Sequence, residues 1–306
     1  PAGSSWFDPS EWQYKRQITV TEQSGKDLTD YQILIELNST NFDFSHANED
    51  GSDIRFYDGS NLYPYWIEKW DSSNQEAKIW VKVPSIPASS STSFYMYYGN
   101  PNAASASNGE DTFEFFDDFD GTEIDTNKWD IYGNPSLSNS EIIFSKGLSV
   151  PQDGIKTKID FEATEQYLYE SRALPKGAGT GIVVIDNDWV GSVNQQNFVY
   201  WAVISDNNLH AQTRQEGNTT DVYSQTPDTT NYHTYSFWWK QDEVKFFIDY
   251  ETKGISSSNI PIISLPVRIN TWKSNGTNDE LYVDWFRIRK YTDPEPNVSI
   301  GSEEPS

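Results

Sequence analysis

The chain has 306 residues and carries 46 acidic against 22 basic side chains, a formal net charge of −24. Nucleic acid demands clustered Lys and Arg to displace counterions, so this balance excludes it as a partner. With 0 cysteines, disulfides, thiol chemistry and Cys-type zinc sites are excluded, and no run approaches the ~18 apolar residues of a membrane-spanning helix. Aromatic residues make up 15% of the chain, which acidic disordered sequences lack, so a folded all-β protein with a wet exterior is expected.

The first half reads as short strands separated by turns: KRQITVTE, DYQILIEL, SDIRFYD, YPYWIEKW, AKIWVKVP and TSFYMYYG. Ile18/Val20, Ile33/Ile35 and Ile79/Val81 have the period-two alternation of half-buried strands. Pro84, Pro87 and the small residues from Ala88 to Ser91 interrupt the pattern. NPNAASASNGED then offers nothing large to pack and reads as a linker or closing loop. Strands resume with EIIFS, YLYESRAL, GIVVIDN, NFVYWAVIS, HTYSFWWK, EVKFFIDY and ELYVDWFRIRKY. Without a helical period, the expected architecture is two antiparallel β-sandwiches over residues 1–112 and 113–292. The polar, Pro-rich segment 293–306 reads as a tail or linker to further modules.

Pro1 opens the chain without a signal-peptide pattern, so it reads as a soluble, mature or excised segment. Asn-x-Ser/Thr sequons at Asn38, Asn218, Asn275 and Asn297 and the acidic, oxidation-resistant composition point to an extracellular or cell-surface location, without membrane insertion. Glu49, Asp50, Asp53 and Asp58 surround NEDGSDIRFYDGS; a loop of turn-forming residues accounts for them better than a cation site. His46, His210 and His233 are far apart and fit no metal-hydrolase motif; His233 reads as a packing or hydrogen-bonding residue.

Four second-half segments resemble the concanavalin-A-like lectin/glucanase superfamily, especially its laminarinase-type hydrolases. They are FDDFDGTEIDTNKW, YLYESRALPKGAGTGIVVI, YHTYSFWWKQDEVKFFIDYE and ELYVDWFRIRKY, in the family's order. The resemblance implies a jelly roll for the second domain. It also implies two or three carboxylates at alternate positions of one inward-facing strand, since only every second residue faces a cleft. The corresponding strand, NFVYWAVIS, has no Asp or Glu, nor does any position from Trp189 to Ser205. Asp160 and Glu162 have the right spacing but lie upstream, and read as a turn or solvated strand face. A structural calcium is further implied, held by Asp284 of VDWFRI with Asp118 and Gly121 of the opening strand, and with Asp117 and Asp120 as neighbours.

WQYKRQITV, DYQILIEL, NEDGSDIRFYD, YPYWIEKW and IWVKVPSIPASSSTSFYMYYGN resemble a domain of unknown function that recurs in bacterial and archaeal surface proteins. No activity transfers from it.

Sugar rings stack their C–H faces on Trp and Tyr while planar polar groups read the hydroxyls. DNDWVGSVNQQNFVYWAV offers both kinds, making Trp189, Gln196, Tyr200 and Trp201 candidate ligand contacts, with Arg214 and Tyr223 nearby in sequence. Tyr200 and Trp201 are adjacent, so only one can line a given groove. The reading that follows is a non-catalytic, calcium-stabilised segment of a larger surface protein that binds polysaccharide or surface glycan, or mediates adhesion. Two alternatives stand beside it: a self-assembling subunit of an extracellular filament or sheath, and an atypical polysaccharide-degrading enzyme.

Overall fold

A computed structural model of the protein describes residues 7–145, 153–186, 196–271 and 279–306. The chain divides into two compact units, Pro1–Glu114 with Lys290–Ser306 and Phe115–Arg289. Among the described residues no helix is long and apolar enough to cross a membrane.

The first unit opens with β1 (Tyr14–Thr21), β2 (Leu28–Asn38), β3 (Arg55–Tyr57), β4 (Tyr65–Asp71), β5 (Glu76–Ile86) and β6 (Ser91–Tyr98). β2, β5 and β4 form one sheet, while β1, β6 and β3 belong to another. The alternating pairs Ile18/Val20, Ile33/Ile35 and Ile79/Val81 all enter one core with Phe56, Phe94 and Met96, each at most 2% exposed. The acidic loop before β3 is built of turns. Buried Asp53 accepts from the backbone amides of Asn48 (2.9 Å), Gly99 (2.6 Å) and Asn100 (3.2 Å). Gly99 sits at φ 89°, where a Cβ would come within 2.8 Å of the Tyr14 ring, so only glycine fits there. Asp50 and Asp58 cap the amides of Ser52 and Ser60 in the same way.

After the one-turn helix α1 (Gly109–Thr112), the second unit begins with β7 (Phe115–Asp117), β8 (Trp129–Tyr132), β9 (Ser136–Leu137), β10 (Ile142–Ser145) and β11 (Gly154–Phe161). β12 (Tyr167–Lys176), β13 (Thr180–Asp186), β14 (Phe198–Val203), β15 (Leu209–Gln215) and β16 (Asn218–Gln225) follow. β17 (His233–Trp239), β18 (Val244–Ile248), β19 (Glu251–Ser256), β20 (Leu265–Thr271) and β21 (Glu280–Lys290) complete it. One sheet has seven strands in the order β16-β15-β14-β13-β20-β11-β8. The other has eight, ordered β19-β18-β17-β12-β21-β10-β9, with β7 also on β21. Between them lies an aromatic core that includes Trp129, Tyr169, Trp201, Phe237, Trp239 and Phe286. Two of the core indoles cross to backbone acceptors: Trp201 donates to the Ser236 carbonyl (2.8 Å) and Trp239 to that of Pro261 (3.0 Å).

Segment 293–306, expected to be a tail, instead contributes β22 (Asn297–Pro305), an edge strand of the first unit antiparallel to β1. Val298 and Ile300 lie opposite Val20 and Ile18 and pack on the first core. Two apolar side chains at period two and a free sheet edge are enough to order a polar segment. The expected boundaries at 112 and 292 accordingly move to 114 and 289, and the second unit interrupts the first.

Candidate functional site

Register determines which side chains share the face of the seven-stranded sheet turned away from the Trp201 core. Gln212, Tyr200, Val184, Arg268 and Lys156 lie opposite one another on β15, β14, β13, β20 and β11. A second row joins Arg214, Phe198 and Asp186. A third runs from His210 through Ala202, Gly181, Asn270 and Gly154 to Tyr132. Val184, Phe198, Tyr200 and Ala202 form an apolar cluster separate from the main core.

Around that cluster the face is polar, buried at Gln212, His210, Arg268 and Asn270 and open to solvent at Tyr132. Tyr200 donates its hydroxyl to Gln212 Oε1, and Gln212 Nε2 donates to Asp221 Oδ2 at 3.1 Å. The same Asp221 oxygen is 2.6 Å from His210 Nδ1, whose other ring nitrogen faces Asp206 at 3.1 Å. Burial, then the nearby Asp221 carboxylate, pushes the Tyr200 phenol well above its ordinary range, so it is a hydrogen-bond donor at all working pH values. Arg268 Nε meets Asp186 Oδ1 at 2.6 Å. Asn270 Oδ1 is buried and has no hydrogen-bond partner among the described residues. Its neighbours across the ladder are Gly154 and Gly181, and a Cβ on Gly154 would come within 2.7 Å of Asn270 Cβ. A trough of small residues therefore surrounds a lone amide oxygen. At its end Tyr132 is 38% exposed, with Lys156 Nζ and Arg268 Cζ each 5.7 Å from its ring centroid.

The expected ligand residues do not form one groove. Tyr200 and Arg214 lie on this face, Arg214 with its guanidinium 5.6 Å from the Phe198 ring. Gln196 is half-buried and its carbonyl accepts from Gly217 in the β15–β16 turn. Trp201 is a correction: it is fully buried in the main core, because its neighbour Tyr200 takes the outward position. Trp189 lies outside the described residues. Tyr223 faces the core side and lines a different cavity. Asp186, His210, Gln212, Arg268 and Asn270 were not anticipated; each directly follows an apolar residue on its strand (Ile185, Leu209, Ala211, Val267 and Ile269), the one signal that could have singled them out.

The Tyr223 cavity, about 410 Å³, opens where β15 and β16 approach β17, β18 and β19. Leu209, Tyr235 and Ile248 form its floor, and Asp228, His233, Asp249, Glu251 and Lys253 its rim. His233 is held on both sides, by Asp249 Oδ2 at 2.5 Å from Nδ1 and Asp228 Oδ2 at 3.2 Å from Nε2. Burial lowers the affinity of this ring for a proton, but the two carboxylates outweigh that and raise it above the ordinary histidine value.

The expected calcium donors fare differently. Asp284 Oδ2 accepts from Arg172 Nε at 2.8 Å, so a guanidinium already neutralises it. Asp117 caps the Phe119 amide and the Trp129 indole, and Gly121 lies in an exposed turn. Among the described residues no three Asp, Glu or His side chains converge as metal ligands.

Residues 50–132 match the model of the domain of unknown function DUF2341, and residues 176–287 that of glycosyl hydrolases family 16. The first match runs past Glu114 into the second unit. Uncharacterized protein MJ1472 of Methanocaldococcus jannaschii is 23% identical over 96% of this chain and 56% of its own length. A beta-glucanase of Bacillus amyloliquefaciens is 30% identical over 70 residues, 19% of this chain and 29% of that protein. The chain thus spans little more than half the length of the first of these relatives and under a third of the second. Among solved structures, a laminarinase from Flavobacterium sp. UMI-01 gives a TM-score of 0.48 at 18% identity, covering 58% of this chain and 100% of that one. A prokaryotic lichenase from a mouse hindgut metagenome gives 0.46 at 16%, over 57% and 98%. The two-part resemblance read from the sequence is met at the level of these matches, DUF2341 over residues 50–132 and glycosyl hydrolases family 16 over residues 176–287, on an all-β chain of antiparallel sheets.

Proposed function

We propose that the family 16 domain holds a polysaccharide on the polar face of its seven-stranded sheet without cleaving it, as part of an extracellular protein. The observation that carries this reading is the outward set of β14: Phe198, Tyr200 and Ala202. Glycoside hydrolysis by paired carboxyl groups needs two of them across the bond, roughly 5–9.5 Å apart, and this strand supplies an aromatic pair and a methyl group instead. The same face keeps polar side chains in the Tyr200–Gln212 pair, Arg268 and Asn270, whose Oδ1 has no hydrogen-bond partner among the described residues. Tyr132 supplies an exposed ring for a pyranose at the trough's end. The beta-glucanase relative makes a β-linked glucan the first polymer to try.

Affinity electrophoresis of the whole chain in mixed-linkage and β-1,3-glucan gels tests the reading. Retardation that Tyr132→Ala and Asn270→Ala weaken, with no release of reducing ends, supports it. Release of reducing ends that a single Asp or Glu substitution abolishes overturns it in favour of an enzyme.

A further inference from the structure

We infer that the cavity between Tyr223 and His233 is a second carbohydrate site, taking one neutral pyranose unit at the end of a glycan chain. It shares with the proposed function only the ligand class; site, residues and mode of binding are different.

Its size, about 410 Å³, falls within the ~300–1,000 Å³ of small-ligand sites. The floor of Leu209, Tyr235 and Ile248 is apolar and suits the C–H face of a sugar ring, with the Tyr223 ring as a side wall. Tyr223 is itself held edge-on against Trp201, centroids 5.3 Å apart, so the wall is anchored to the core. The rim pairs an acceptor with a donor, Glu251 Oε2 and Lys253 Nζ at 2.8 Å. Adjacent sugar hydroxyls each donate and accept, so such a pair matches two of them at once.

The rim is also prearranged. Asp249 and Tyr250, at φ 50° and 67°, make the tight β18–β19 turn that aims Asp249 at His233 and at the Thr234 amide (2.9 Å). Asp228 is fixed by the amides of Thr230 (2.7 Å) and Asn231 (3.2 Å). Because both His233 nitrogens are engaged, this ring is neither a metal ligand nor a general base; it is a rigid part of the wall. Three carboxylates face one histidine and one ammonium, an excess of negative charge that disfavours an anionic sugar.

The chain has 3 histidines, so ring resonances labelled at carbon report on the cavity individually. Titrating the whole chain with methyl β-glucoside and methyl N-acetyl-β-glucosaminide should give a saturable His233 shift in the millimolar range. Methyl glucuronide should bind about tenfold more weakly. Glu251→Gln and Tyr223→Ala should abolish the shift, whereas Tyr132→Ala and Asn270→Ala should leave it intact. Glu251 is exposed, so Glu251→Gln remains a fair test even if Tyr223→Ala disturbs folding. No saturable His233 shift with either neutral glycoside, or an undiminished shift in Glu251→Gln, overturns the inference. Loss of polysaccharide retention with a preserved His233 shift would defeat the proposal for the sheet face alone.

Discussion

Tyr98 donates its hydroxyl to Glu303 Oε2 at 2.8 Å across 205 residues of chain, fastening β22 to β6 over the intervening β1. His46 Nδ1 lies 3.0 Å from the same carboxylate, and Arg16 Nη2 3.9 Å. Deleting residues 297–306 should therefore destabilise the first unit by about 2–4 kcal/mol, through lost burial of Val298 and Ile300 and lost hydrogen bonds. The exposed β1 edge should also promote association. Urea unfolding combined with sedimentation measures both, and an unchanged midpoint would sink the assignment of this strand.

In the second unit Glu170 Oε2 accepts from Arg287 Nε at 2.7 Å and Arg289 Nε at 3.0 Å, all three side chains at most 2% exposed. Burial pushes the Glu170 carboxyl up, but the two guanidinium groups outweigh it and hold it below its ordinary value. A depressed carboxyl stabilises the fold above its unfolded value of 4.5, and that stability is lost as pH falls through the folded one. Glu170→Ala removes the carboxylate that two buried cations share and should cost about 3–5 kcal/mol in denaturant unfolding. A loss under 1 kcal/mol would mean that water reaches the cluster.

Asp118 behaves in the opposite sense. Burial first, then Asp120 and Asp117, raise its carboxyl from 3.8 to about 6. Its ionisation is thus destabilising: the fold is best off below pH 3.8 and loses that advantage as pH rises through about 6. Asp118→Asn should stabilise the fold at pH 7.5 by about 1 kcal/mol after solvent screening, raising the melting temperature, and do little at pH 4. A chelator should leave both proteins unaltered. A chelator-sensitive melt that Asp118→Asn abolishes would instead restore a calcium site.

Gly154→Ala probes the trough. The new methyl would meet Asn270 Cβ at 2.7 Å and the Ile269 carbonyl at 3.1 Å, so backbone must move. A loss of about 1–3 kcal/mol is expected, together with weaker polysaccharide retention. Retention at wild-type strength would remove the trough from the binding surface.

Much of the fold was legible because core side chains alternate locally: Ile18/Val20 and Ile79/Val81 declare their face within three residues. The same rule set Tyr200 and Trp201 on opposite faces, but not which of them faced the core. That depends on Trp201 finding the Ser236 carbonyl 35 residues away. The rows through Tyr200 and Asn270 were hidden for a related reason. Neighbours such as Val184 and Arg268 come from strands far apart in sequence, and a one-residue change of register would turn each to the other face. Segment 297–305 misled through its polarity, since an edge strand half in water needs only Val298 and Ile300 to find its place.

The interruption of the first unit by the second has a consequence for biosynthesis. A ribosome releases β1 through β6 long before β22, so the nascent first unit must wait, one edge unpaired, while the whole jelly roll is made. At about 5–20 residues per second that wait is on the order of ten seconds. The first unit therefore gains its last strand only after the whole of the second has been synthesised.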